Sequence, residues 1–196
     1  MPATVTSRDG IQVLSLNGDG NPPFTNGADN EPQRATFGAT ISAIVPPATP
    51  TDLLTIRGAA GEVVRIKSIV IAGTATSATN IIVDMIRRSA ANTGGTTVPI
   101  TGRSHDLADG AANATVAYYT ANASGLGTAV GTLHSARLNL APAANGSIDR
   151  IQWQFTWVND KAIVLRGATD ILAINLRGAA WPAGGALDID LEWTEE

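Results

Sequence analysis

Ile151-Gln152-Trp153-Gln154-Phe155-Thr156-Trp157 alternates a large apolar residue with a polar one across seven positions. Side chains on a strand point to opposite faces in turn, so Ile151, Trp153, Phe155 and Trp157 share one face and the polar residues share the other. A helix would scatter the same residues around its circumference. Near the end of the sequence Leu187, Ile189, Leu191 and Trp193 alternate with Asp188, Asp190 and Glu192 in the same way. This period-2 pattern predicts an all-β chain, with the Trp153 face turned inward.

Other segments follow the rule. Phe37, Ala39, Ile41 and Ala43 alternate up to Pro46-Pro47, and Val64, Ile66, Ser68 and Val70 alternate with Val63, Arg65, Lys67 and Ile69. Further strands are predicted over 53–57, 81–87, 96–101, 116–120, 129–140, 162–166 and 171–177. Pro99 marks an edge position, because proline cannot donate to a ladder. No stretch of eleven residues keeps a helical period; 104–109 offers a single turn at most. Short strands at this spacing, with Gly/Pro/Asn turns between them, predict an antiparallel two-sheet sandwich, jelly-roll-like. Thr55-Ile56-Arg57-Gly58-Ala59 and Val164-Leu165-Arg166-Gly167-Ala168 echo each other as strand–turn units.

Residues 1–33 differ from the rest. The run from Ser15 to Pro32 is dense in turn formers and proline, and one short strand over 11–14 is expected. The predicted organisation is an extended N-terminal arm over 1–33 and a β-sandwich domain over 34–196. An arm with so few apolar residues gains order by placing them on a partner, which makes Ile11, Val13, Leu14 and Phe24 its candidate anchors.

At 196 residues the chain suits one sizeable core. It has no cysteine, which removes disulfides, thiolate nucleophiles and Cys-ligated zinc together. A formal net charge of −4, with no basic stripe, argues against a nucleic-acid partner. The longest apolar run, Ile69-Val70-Ile71-Ala72, is far below the roughly 20 residues that span a bilayer, and no signal peptide is visible at Met1. A soluble protein made in the cytosol, with no membrane partner, is expected. Charged residues make up only 15% of the chain, and a surface so weakly charged is easily desolvated against other protein.

Chemistry-bearing motifs are weak. Asp188, Asp190 and Glu192 have carboxylates about 6.5–7 Å apart along a strand, compatible with a cation site or a glycosidase pair but also with a solvated outer face. Asn17-Gly18-Asp19-Gly20-Asn21 fails as a calcium loop, since its twelfth position is Ala28. Ser104-His105-Asp106 is a triad in writing only, because neighbouring side chains diverge. No catalytic, metal or cofactor residues are assigned, and no cofactor is expected. Trp181, in the turn Ala180-Trp181-Pro182, either folds back over the sandwich end or anchors a contact with another subunit.

Ile66-Lys67-Ser68-Ile69-Val70-Ile71-Ala72-Gly73-Thr74-Ala75-Thr76 and Ile86-Arg87-Arg88-Ser89-Ala90-Ala91-Asn92-Thr93-Gly94-Gly95-Thr96 resemble the body of small β-rich virion proteins of tailed bacteriophages. So do Tyr119-Thr120-Ala121-Asn122 with Gly127-Thr128-Ala129-Val130-Gly131, and the ending from Ala162 to Trp193. The resemblance spans Leu53 to the C-terminus and omits the arm. It implies a head decoration or cement protein, non-enzymatic, located in the virion. Its partners would be the major capsid protein or another virion protein, and copies of itself, with a trimer favoured. Two other readings stand beside it. One is a tail, collar, fibre-associated or glycan-binding receptor protein of the virion, for which Trp181, Tyr118 and Tyr119 are the available aromatic platforms. The other is a free carbohydrate-binding module.

Overall fold

Leu187, Ile189, Leu191 and Trp193 are all buried, on a strand that runs through the middle of one sheet of a two-sheet sandwich. The computed structural model describes residues 34–145, 149–155 and 162–196, and the backbone of Thr4–Thr6 and Gln12–Ser15. By contacts the chain divides into two units, Met1–Arg34 and Ala35–Glu196. In the first, β1 (Thr4–Thr6) and β2 (Gln12–Ser15) pair antiparallel, so a two-stranded ladder stands where one short strand was expected.

The second unit holds the sandwich. Its strands are β3 (Ala35–Ile44), β4 (Asp52–Arg57), β5 (Val63–Thr74), β6 (Thr79–Arg88), β7 (Thr96–Ile100), β8 (Arg103–Ser104), β9 (Thr115–Ala121), β10 (Ala129–Leu140), β11 (Arg150–Gln154), β12 (Ile163–Arg166), β13 (Ile171–Asn175) and β14 (Ala186–Glu195). One sheet has the order β10-β6-β13-β4-β9-β7; the other has β11-β5-β14-β3-β8, with β12 also paired to β5. Set the β7–β9 excursion aside and count β11 with β12 as one position along β5. Successive strands then alternate between sheets except at β6 and β10, which are neighbours. The resulting four-strand sets, β3-β14-β5-β11/β12 and β4-β13-β6-β10, are the arrangement of a jelly roll. All the ladders between these strands are antiparallel.

The core lies between the sheets. Leu54, Ile56, Val83, Met85, Leu172 and Ile174 come from one of them. Phe37, Ile66, Ile69, Ile71 and the inward residues of β14 come from the other. Trp193 is fully buried and stacks on Phe37 with ring centroids 5.9 Å apart. A Cβ on Gly102 would lie 2.6 Å from the Trp193 ring, so the chain can pass this close only as glycine.

The Trp153 strand keeps its predicted alternation, but its place corrects the expected depth. β11 is an edge strand, and Trp153 and Phe155 are half-buried, packed against the core from its side. The His134 ring of β10, the facing edge, sits 6.2 Å from Trp153 and 5.4 Å from Phe155. Trp157 lies outside the described residues. The two Arg-Gly-Ala turns abut: Gly58 N donates to Asp170 O at 3.1 Å, and a Cβ on Gly58 would meet Gly167 O.

Candidate functional site

The β7–β9 excursion adds its strands to both sheets and shapes the most distinctive surface. β8 pairs with β3 through Phe37↔Ser104 and Gly38↔Arg103, and the chain then turns away from the sheet. Beside it opens a cleft of about 530 Å³, whose lining includes Ala39, Ile100, Thr101, Arg103, His105 and Asp190. That volume is within the range of small-ligand and side-chain pockets.

The segment after β8 is a turn, where a helical turn at most was expected. Asp109 N donates to Asp106 O at 3.1 Å, and Ala108 N donates to the Asp106 carboxylate at 2.9 Å. The Ser104 hydroxyl donates to Asp106 O and accepts from Asp106 N. Beyond the turn, Asn113 N and Ala114 N both donate to the buried Glu195 carboxylate, at 2.8 and 3.0 Å. Leu107 stands at the apex with 102% relative exposure.

Ser104, His105 and Asp106 do not converge. The Ser104 hydroxyl is engaged within its own turn, while His105 Nδ1 lies 4.0 Å from Glu192 Oε1 on β14. The acidic face of β14 is tied to its neighbours. Asp188 accepts from Ala43 N at 2.8 Å, Asp190 from the Thr40 hydroxyl at 2.9 Å, and Glu192 from Lys67 Nζ at 2.8 Å. Burial would raise the Glu192 pKa, but the Lys67 ammonium, His105 and the Ser68 hydroxyl outweigh it and hold the carboxyl below its usual value. Among the described residues no group of three or more His, Cys, Asp or Glu is placed to hold a metal ion.

A second surface lies along β10. Its register against β6 shifts between Ala129 and Gly131 and again between Thr132 and His134, leaving Val130 and Leu133 as the extra residues of two bulges. Bulges twist an edge away from further pairing and re-aim side chains. Val130 is 64% exposed and Leu133 40%.

Polar clusters that sequence spacing did not reveal brace the same sheet. Asp52, 1% exposed, accepts from Arg88 Nε at 2.6 Å, Arg88 Nη2 at 2.7 Å, Asn92 Nδ2 at 2.9 Å and Asn175 Nδ2 at 2.7 Å. Arg88 also donates to Gly127 O, and Gly127 N to Asn92 Oδ1. A Cβ on Gly127 would sit 1.8 Å from Ala90 O, so the two loops can touch only through this glycine. Arg177 grips Asp84 in a two-pronged ion pair, and that hydrogen bonding holds the Asp84 pKa below its usual value.

Of the predicted anchors, Val13 and Leu14 fall on β2, described in its backbone alone, and Ile11 and Phe24 lie outside the described residues. Trp181 folds back: it is half-buried against the core, and its indole N–H donates to Gly185 O at 2.9 Å. Tyr119 is buried, which removes one of the three aromatic platforms. Among the described residues no helix is long and apolar enough to cross a membrane, which does not bear on crossing by strands. Comparison with protein-family models, with curated proteins and with solved structures finds no match to this chain.

Proposed function

We propose that this chain is a non-enzymatic structural subunit of a tailed-phage particle, one that associates with itself and binds the capsid exterior as a decoration or cement protein. The observation that carries the reading is a set of large apolar side chains held in solvent on ordered backbone: Leu107 on a braced turn, Val130 and Leu133 on bulges. Large apolar side chains held out in solvent are groups that a protein contact can bury. A jelly roll suits the role, since the fold recurs in viral capsid proteins, though fold alone does not assign function. The phage setting comes from the sequence resemblance. In this reading the major capsid protein or another virion protein is the partner, and the protein resides in the virion after synthesis in the host cytoplasm.

The test is electron microscopy of purified particles of the encoding phage, with an antibody against this chain. Label over the head is expected. Label confined to the tail or fibres would replace decoration with the tail or receptor-binding alternative, and particles without label would remove the virion assignment.

A further inference from the structure

The cleft beside β8 and the Leu107 turn are chemically matched. The cleft is lined by Pro99 and Ile100 together with Arg103, His105 and Asp190, whose carboxylate already accepts from the Thr40 hydroxyl. The turn presents one leucine beside the exposed Asp106, while the Asp109 carboxylate accepts from the Ser104 hydroxyl of the same turn. Arg103 has no ion-pair partner among the described residues. Leu107 is fully exposed, so it does not fill the cleft of its own chain. The hydrogen bonds that brace the turn hold Leu107 out before any partner arrives, which lowers the ordering cost of docking.

We propose that copies of this chain assemble head to tail, the Leu107 turn of one seated in the cleft beside β8 of the next. The leucine meets Pro99 and Ile100, and the Asp106 carboxylate meets Arg103. A contact between two different patches repeats from copy to copy and closes into a ring when the rotation allows.

The inference rests on the self-association part of the proposed function and not on capsid binding. Purified full-length protein in the analytical ultracentrifuge tests it. The wild type is expected as a discrete small oligomer. Leu107→Asp removes the knob, and Thr101→Trp, at an exposed position, fills the cleft; each alone is expected to be monomeric with an unchanged far-UV spectrum. Arg103→Glu serves as a second cleft variant. Mixed one to one, Leu107→Asp and Thr101→Trp keep one intact knob and one intact cleft between them, so a two-chain species and nothing larger should form. A monomeric wild type, full assembly of Leu107→Asp or of both cleft variants, or a mixture that stays monomeric would overturn the proposal. Rings that form but do not bind particles would leave it standing and remove the capsid role instead.

Discussion

Glu195 places a carboxylate among three N–H donors, from Asn113, Ala114 and the Trp193 indole, with 6% of the residue exposed. Glu195→Ala would leave those donors in the interior without an acceptor, at about 1–3 kcal/mol for each that water cannot reach. A loss of roughly 3 kcal/mol is expected in a urea titration, against under ~0.5 kcal/mol for Gln152→Ala on the exposed face of β11. Asp84 makes a pH-dependent contribution. Its folded pKa is lowered, chiefly by the Arg177 hydrogen bond, so the stability it adds is complete above the usual carboxylate value and is lost as pH falls through the folded one. Arg177→Met should therefore flatten the decline of stability below about pH 4, measured as melting temperature against pH. An equally steep decline in the variant would show that the ion pair does not set the acid limb.

Strand faces were legible in the sequence, while strand positions were not. Alternation in β14 pointed to Leu187, Ile189, Leu191 and Trp193 as the inward set and the carboxylates as the outward set, and the structure agrees. The same signal in β11 could not say that the strand lies at an edge, because alternation reports a face and carries no information about neighbours. In β10 the pattern dissolves over 129–134, where two bulges break the period and expose Val130 and Leu133. The Asp52 cluster joins residues 36, 40 and 123 positions apart, so no local spacing could reveal it. On β14 itself, changing Asp188 and Asp190 together to Asn keeps an acceptor oxygen for Ala43 N and for the Thr40 hydroxyl. The double variant should melt within a few degrees of wild type, with or without calcium. A calcium-induced rise in the wild type that vanishes in the variant would make this face a cation site.

For the whole chain, the division into Met1–Arg34 and Ala35–Glu196 allows the two units to be tested apart. Deleting residues 1–33 should leave a folded sandwich with the same far-UV spectrum, while occupancy on undecorated capsids should drop well below that of full-length protein. Equal occupancy would assign the contacts to the sandwich. The strand order has a further consequence, for how the molecule is made. β13 lies between β4 and β6, and β14 between β3 and β5, so the last two strands of the sandwich occupy the interior of both sheets. During synthesis β3 to β12 leave the ribosome without the two strands that join them, their apolar faces waiting. Neither half can finish early, and the nascent chain must be kept from its neighbours until both closing strands arrive together.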